Sequence, residues 1–277
     1  MTKVDREKEP LFAASADHNG RADILGFMVD RMTLRQCVDR LTSAIPLRKP
    51  QHIVLVNAAK IVRAREDAEL AHIIRTADLV GADGVPIVWT SQLLSQPLPG
   101  RVNGTDLMNL LIQTAAERGY RVFFLGSKPE LISQAVANVQ RRYPALQVAG
   151  YRCGYFSSAE QEEEVVRMIA AAKADILLVG MSTPMKEKWV RKYRSQLATP
   201  VIHGVGGSFD ILAGYVKRAP VWMQRSGLEW LYRVWQEPKR LWRRYLITNT
   251  VFVGLVLVQL FKNLLGIRPQ TKAGEKH

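Results

Sequence analysis

Short apolar runs alternate with longer amphipathic stretches through most of the chain. The apolar runs, which have the length and β-branched content of buried strands, cover residues 24–29, 52–57, 121–126, 175–180 and 200–206. Between them, apolar positions recur with helical spacing over residues 58–75, 105–118, 129–142, 158–173 and 184–196. Strand and helix in alternation favour right-handed βαβ units. The pattern therefore predicts an α/β fold, with a Rossmann-like, mostly parallel sheet and helices on both faces.

In a sheet of this kind, ligands bind beyond the carboxyl ends of the strands. The residues that follow the apolar runs are Asn57, Asp83 with Gly84, Gly126 with Ser127, and the segments 180–184 and 204–208. Glycine at such places lets the backbone approach a nucleotide phosphate closely. Because any βα turn is rich in glycine, each glycine taken alone is equally compatible with an ordinary turn.

Asp83, in GADGVPIVW, follows an apolar run and precedes a turn that opens a helix. A carboxylate at a strand end is placed to accept a proton from an incoming hydroxyl group. Asp-Gly is also an ordinary turn signal. Arg101 precedes a helix whose predicted N-cap is Gly104 or Thr105. It is placed to clamp a diphosphate, or it is a solvated surface arginine.

Other polar residues are explained more simply by structural roles than by catalytic or binding roles. Asn57 is placed to bind a sugar or a base, but by propensity it is more often the N-cap of a helix from Ala58 onward. His203 lies in an apolar run and is predicted to be a core residue. His52 and His72 show no spacing typical of metal ligands.

The segment 217–245 is the most unusual part of the chain. It holds eight basic side chains, four tryptophans and two acidic side chains, a net charge of +6. Arg233, Arg240 and Arg243 are seven and three residues apart, so a helix or a helical pair bent at Pro238 would present them on a shared face. Guanidinium groups hold phosphate oxygens bidentately. The segment is therefore predicted to contact phosphate or a membrane surface.

The next stretch, residues 246–266, is apolar and long enough to span a bilayer. Asn249, Gln259, Lys262 and Asn263 interrupt it and make a span costly, so a helix lying in the membrane surface is preferred. A formal net charge of +14 suits nucleic acid, anionic lipid or anionic substrates. Because much of this charge lies beside the apolar stretch, a membrane is favoured over nucleic acid.

Several classes of protein are excluded by what the sequence lacks. It contains no GxxxxGK[ST], GxSxG or HExxH motif and no Asp-x-Asp pair, so neither a metal nor another cofactor is predicted. The glycines of GVGGSFD do not form a dinucleotide-binding fingerprint, which argues against an NAD enzyme. The two cysteines, Cys37 and Cys153, indicate neither a disulfide framework nor a zinc site.

The motifs taken together, in their order, resemble the WecG/TagA/CpsF glycosyltransferase family, glycosyltransferase family 26. The resemblance runs from about residue 24 to residue 245. It rests on ADLVGADGVPIVW, RVNGTDL, RVFFLGSKP, the Tyr143 and Tyr155 pair, DILLVGMSTPMKEKW, GVGGSFDILAG and KRAP followed by GLEWLYRVWQEPKRLWRRY. It implies an inverting, metal-independent enzyme that moves a sugar from a UDP-sugar to a polyprenyl-diphosphate-linked saccharide. The products would be cell-envelope or exopolysaccharide intermediates.

The resemblance also implies roles for particular residues. Asp83 matches the proposed general base of the family, and Arg233, Arg240 and Arg243 match arginines of a C-terminal appendage thought to hold the diphosphate. The predicted substrate-binding positions are Asn57, Gly84, Arg101, Gly126, Lys186, Glu187, Gly206, Gly207, Asp210, Arg233, Arg240 and Arg243.

The chain departs from the family pattern at two places near the predicted site. Leu55 stands where the family often has threonine, and Pro184-Met185-Lys186-Glu187 stands where it often has Pro-Lys-Gln-Glu. The donor is therefore left open among UDP-glucose, UDP-N-acetylmannosamine and the uronic acid of the latter.

Four regions are predicted: a disordered leader (1–22), a Rossmann-like core (23–216), a basic appendage that completes the active site (217–245), and an apolar membrane-associating helix with a polar tail (246–277).

The expected partners are the UDP-sugar, the lipid-linked acceptor and anionic membrane lipids, at the cytoplasmic face of a bacterial inner membrane. Nucleic acid is not an expected partner, and the oligomeric state, a homo-oligomer included, is left open. The alternative is a non-catalytic protein that binds a membrane surface or nucleic acid through the basic segment.

Overall fold

The computed structural model describes residues 20–266, and its centre is a parallel six-stranded sheet in the order β4-β3-β8-β7-β5-β6. The strands are β1 (Arg21–Ile24), β2 (Phe27–Asp30), β3 (Gln51–Val56), β4 (Leu79–Ala82), β5 (Arg121–Gly126), β6 (Gln147–Arg152), β7 (Ile176–Gly180) and β8 (Val201–Gly204). The helices are α1 (Leu34–Ser43), α2 (Ala58–Glu66), α3 (Ala68–Thr76), α4 (Val85–Leu93), α5 (Gly104–Arg118), α6 (Pro129–Arg142), α7 (Ala159–Ala171), α8 (Met185–Leu197), α9 (Ser208–Leu212), α10 (Val221–Arg225), α11 (Glu229–Gln236) and α12 (Pro238–Leu264).

Helices cover both faces of the sheet, which confirms the predicted Rossmann-like α/β fold. Residues of α1, α5, α6 and α9 pack on one face, in a cluster that includes the ring pair Phe124 and Phe209. On the other face, α2, α3 and α4 pack over one half of the sheet, and α7 and α8 pack over the other half. All the sheet strands are parallel, so their carboxyl ends share one edge.

The structure differs from the predicted elements in several places. The apolar run 24–29 is an antiparallel hairpin, β1 and β2, because Leu25 and Gly26 both adopt positive φ and reverse the chain. The helical stretch 58–75 is two helices, because Asp67 ends α2 and caps α3 by accepting a hydrogen bond from the Leu70 N–H. The half-exposed edge strand β6 was not predicted.

The N-terminal boundary also falls earlier than expected. Strand β1 begins at Arg21, two residues before the predicted start of the core. The rest of the predicted leader, residues 1–19, lies outside the described residues, as does the predicted polar tail from residue 267.

The C-terminal region comprises α10, α11 and α12, and a break before Pro238 separates α11 from α12, which agrees with the helical pair among the two predicted arrangements. Helix α11 ends at Gln236 and α12 begins at Pro238. One face of α12 packs against α2, and Phe252 and Val256 are buried in the apolar cluster there. Within the described residues, the stretch Leu241–Leu264 of α12 is long and apolar enough to cross a membrane.

Candidate active site

Asp83 follows β4 at the carboxyl edge of the sheet. Its backbone N–H donates to the Val56 carbonyl at 2.8 Å, which ties the end of β4 to the end of β3. Gly84 then adopts a φ of 97° at the start of α4, a conformation that favours glycine. As a whole residue, Asp83 is partly exposed. The fold therefore holds a carboxylate at the strand ends, where a substrate is expected to bind.

The pKa of Asp83 is raised above its ordinary value, first by burial among protein atoms and then by the negative charge of Glu229. Lys60, Arg233 and Arg101 act in the opposite direction. A carboxylate with raised pKa is a stronger proton acceptor than a free aspartate.

Asn103 orients this carboxylate. Its Oδ1 atom accepts hydrogen bonds from the backbone N–H groups of Thr105 and Asp106 at 3.0 and 3.2 Å, so Asn103 caps α5. The predicted N-caps, Gly104 and Thr105, were wrong: the asparagine side chain reaches the free N–H groups of the first turn. With Oδ1 fixed in this way, Nδ2 faces Asp83 and donates to its Oδ1 at 3.4 Å.

Arg101 contacts a carboxylate of the C-terminal region. Its Nη1 atom lies 3.5 Å from Oε2 of Glu229, at the start of α11. Arg218 forms the second connection, with both of its Nη atoms donating to the Asp106 carboxylate. The structure thus brings the predicted appendage, residues 217–245, next to Arg101 and Asn103.

Two lysines share one buried carboxylate beneath the strand ends. Glu187 Oε1 lies 2.8 Å from Lys60 Nζ and 3.2 Å from Lys186 Nζ. Burial alone would raise the pKa of Glu187, but the two ammonium groups lower it to about 2. Burial and the charge of Lys60 lower the pKa of Lys186 to about 8. A cavity of about 10 Å³, the size of one water, lies between these residues and Gly204.

The side chain of Asn57 caps α2 by accepting a hydrogen bond from the Lys60 N–H at 2.9 Å. This is the simpler of its two predicted roles. His203 is fully buried, its Nε2 atom lies 3.1 Å from the Gly104 carbonyl oxygen, and burial lowers its pKa to about 4. A core histidine was predicted at this position.

The glycine turns after β5 and β8 meet at the same edge of the sheet. Gly126 has a φ of 141°, and a Cβ atom there would lie 2.5 Å from the Gly180 Cα, so only glycine fits. Ser127 then donates a hydrogen bond to Asp210 Oδ1 at 2.8 Å. Gly206 and Gly207 lead into α9, which carries Asp210.

The three predicted appendage arginines differ in position. Arg233 is half-buried on α11, near enough to Asp83 to lower its pKa. Arg243 is exposed on α12. The side chain of Arg240 lies outside the described residues.

Three side chains near Asp83 were not predicted, namely Lys60, Asn103 and Glu229, and neither was Arg218, which contacts Asn103 and Asp106. Of these, only Asn103 had a local signal, because asparagine directly before a helix is a preferred N-cap. In residues 20–266, no group of three or more histidine, cysteine, aspartate or glutamate side chains could hold a metal ion.

A sheet of this topology, with a carboxylate and several cations at its carboxyl edge, is typical of an enzyme that binds a nucleotide. Comparison of the sequence with known families identifies the enzyme class. The glycosyl transferase WecG/TagA/CpsF family matches residues 22–265. The chain belongs to this family and is a glycosyltransferase, as the resemblance predicted, and not the non-catalytic binding protein of the alternative.

Similar proteins are named N-acetylglucosaminyldiphosphoundecaprenol N-acetyl-beta-D-mannosaminyltransferase. The protein from Bacillus spizizenii (strain ATCC 23059 / NRRL B-14472 / W23) is 35% identical over 205 residues, 74% of this chain and 78% of its own length. The protein from Staphylococcus aureus (strain MW2) is 32% identical over 82% of this chain and 89% of its own length. The protein from Bacillus subtilis (strain 168) is 34% identical over 70% of this chain and 74% of its own length.

Proposed function

We propose that this glycosyltransferase moves a sugar, with inversion, from a UDP-sugar to a polyprenyl-diphosphate-linked saccharide during synthesis of a surface or exported polysaccharide. Family membership and the names of the similar proteins support the class of acceptor. The observation that carries the proposal is the position of Asp83. It is a carboxylate with raised pKa at the carboxyl edge of a Rossmann-like sheet.

Asp83 is the general base in this proposal. It removes the proton from the acceptor hydroxyl group while the oxygen of that hydroxyl attacks the anomeric carbon of the donor. A new glycosidic bond forms, the bond from the anomeric carbon to the diphosphate breaks, and UDP leaves with the electron pair. Attack opposite the leaving group inverts the anomeric centre.

Cationic side chains stabilise the departing UDP in place of a metal ion. Arg233 and Arg101 lie close enough to Asp83 to affect its pKa, and both are partly exposed. Guanidinium groups suit this role because they stay charged and hold phosphate oxygens through paired donors. Arg240 and Arg243 follow on α12, the next helix of the chain.

The proposed donor is UDP-N-acetylmannosamine and the proposed acceptor is N-acetylglucosaminyl-diphosphoundecaprenol. Both follow from the names of the similar proteins. The other candidate donors are the UDP-linked uronic acid of N-acetylmannosamine and UDP-glucose.

We place the enzyme at the cytoplasmic face of the inner membrane, held there by α12. Away from Phe252 and Val256, α12 carries the exposed apolar side chains Leu246, Val253, Leu257, Phe261 and Leu264. Because the inner face packs on the core, α12 lies along the protein surface, and an in-plane contact with lipid suits it better than a separate span.

The test is UDP release from purified protein with a short-chain, water-soluble analogue of the acceptor. UDP-N-acetylmannosamine, its uronic acid and UDP-glucose are supplied one at a time, with and without acceptor. We expect acceptor-dependent release of UDP from the first donor, and a product with inverted configuration by NMR. If none of the three donors releases UDP in an acceptor-dependent way, the proposal is wrong.

A further inference from the structure

Two ion pairs of opposite polarity fasten the appendage, residues 217–245, to the core. Arg218 of the appendage donates to Asp106 of the core, with Nη2 to Oδ2 at 2.9 Å. Arg101 of the core lies 3.5 Å from Glu229 of the appendage. Each partner thus supplies one cation and one anion, and the two pairs fix where α11 begins relative to the loop before α5.

Glu229 also reaches the catalytic carboxylate through Asn103. The Nδ2 atom of Asn103 lies 3.4 Å from Asp83 Oδ1 and 3.5 Å from Glu229 Oε2. An amide nitrogen carries two hydrogens and can donate one to each carboxylate. The side chain of Glu229 is only 13% exposed, so solvent screens its charge poorly.

Charged groups from several elements face Asp83. They are Lys60 on α2, Arg101 before α5, Glu229 and Arg233 on α11, and Lys186 on α8. Glu187 is a further anion, in contact with Lys60 and Lys186. Like charges close together favour protonation of one of two carboxylates, and Glu229 is the anion that raises the pKa of Asp83. It therefore opposes Lys60, Arg233 and Arg101, which lower that pKa.

We propose that Glu229 is a positioning residue: it seats α11 on the Arg101 loop and, through the Asn103 amide that it shares with Asp83, holds a second negative charge beside that carboxylate. The proposal rests on the proposed function, in which Asp83 takes the proton of the acceptor. Because Glu229 belongs to the appendage, Asp83 has its full basicity only when the appendage is docked on the core.

The experiment is the pH dependence of kcat/KM, measured by UDP release with the full chain and the soluble acceptor. Glu229→Gln keeps the shape of the side chain and removes its charge. Glu163→Gln is the matched control, because Glu163 is exposed on α7 and its contact is a surface pair with Arg167. At acidic pH, kcat/KM falls as the essential base becomes protonated, and the position of this acidic limb gives the pKa of that base in the free enzyme.

We expect the acidic limb of Glu229→Gln to move to lower pH, the direction produced by losing a nearby like charge. The limb of Glu163→Gln should coincide with that of the wild type. Glu229→Asp keeps the charge, so its limb should lie between those of the wild type and Glu229→Gln. If the acidic limb of Glu229→Gln coincides with that of the wild type, the proposal is wrong, whatever the activity of the variant.

Folding of each variant is checked by thermal unfolding, and Glu229→Ala is the second charge-removing variant. If neither Glu229→Gln nor Glu229→Ala folds, Glu229 is a structural residue and the proposal is wrong. Asp83→Asn is assayed in parallel. Turnover of that variant near the wild-type level would refute the proposed function. If Asp83→Asn is inactive and the acidic limb of Glu229→Gln coincides with that of the wild type, only the role of Glu229 is refuted.

Discussion

The Nζ atom of Lys60 lies 2.8 Å from Oε1 of Glu187, and both side chains are almost fully buried. Lys186 approaches the same oxygen, and the Lys60 ammonium also donates to the Leu55 carbonyl at 2.6 Å. This cluster joins β3, α2 and α8 directly below the strand ends. A buried charge without a partner is costly, so the three side chains depend on one another.

The first prediction concerns the stability of this cluster. Glu187→Gln should lower the free energy of unfolding by ~3–5 kcal/mol, because it leaves two buried ammonium groups without their carboxylate. Urea unfolding at pH 7 measures the change, and the exposed variant Glu163→Gln should lie within ~0.5 kcal/mol of the wild type. A Glu187→Gln protein as stable as this control would mean that the cluster contributes nothing.

The pH dependence of stability gives a second prediction. The pKa of Glu187 in the folded protein is about 2, below its ordinary value of 4.5. A lowered folded pKa adds stability that is complete above the unfolded pKa and is lost as the pH falls through the folded pKa. Between pH 4.5 and 2 the wild type should therefore lose more stability than Glu187→Gln. Parallel losses in urea titrations across this range would contradict the prediction.

A third prediction separates the two faces of α12. The double variant Leu257→Gln/Phe261→Gln changes exposed side chains and should reduce binding to vesicles containing anionic lipid, with little change in the melting temperature. Phe252→Ala removes a buried ring and should cost ~3 kcal/mol of stability. Vesicle flotation and thermal unfolding make the comparison. Undiminished flotation of the double variant would show that the basic segment binds lipid without the apolar face.

Much of the fold could be predicted from periodicity. The predicted helix 129–142 has the bounds of α6, because a proline opens it and its apolar positions keep a helical spacing over four turns. Strand β6 could not be found in this way. Its sequence, QVAGYR, is half-exposed at the sheet edge and shows no clear alternation.

The site was predictable only where function depends on a local motif. Asp83 and Gly84 lie at a strand end that the sequence marks by itself. The contact between Arg101 and Glu229 joins residues far apart in the chain, and no periodicity indicates which glutamate meets which arginine. The helix-capping role of Asn103 can be recognised in the sequence, but its contact with Asp83 exists only in the folded chain.

A fourth prediction concerns the appendage arginines. Alanine at Arg233, Arg240 or Arg243 should each lower activity on the soluble acceptor by roughly tenfold to a hundredfold, the equivalent of one charge-assisted hydrogen bond of about 1.5–3 kcal/mol. Lysine at these positions should restore little of the activity, because it lacks the planar guanidinium group that holds two phosphate oxygens. Arg167→Ala, on the exposed surface of α7, is the control. Full activity of all three alanine variants would show that the arginines bind only lipid head groups.

A fifth prediction concerns metal ions. Because arginine and lysine side chains are proposed to stabilise the departing UDP, turnover should continue in excess EDTA. The assay compares initial rates before and after chelation, and then after adding magnesium or manganese. An EDTA-inactivated enzyme that either ion restores would overturn the metal-independent mechanism.

The central claim is that Asp83 removes the proton of the acceptor, and single-turnover kinetics of Asp83→Asn test it most directly. Asparagine keeps the size of the side chain and its contact with Asn103 but cannot accept the proton. The account predicts UDP affinity close to that of the wild type, measured by calorimetry, and a rate of sugar transfer lower by ~10²- to 10⁴-fold. Transfer within a few-fold of the wild-type rate, with UDP affinity unchanged, would remove Asp83 from the mechanism.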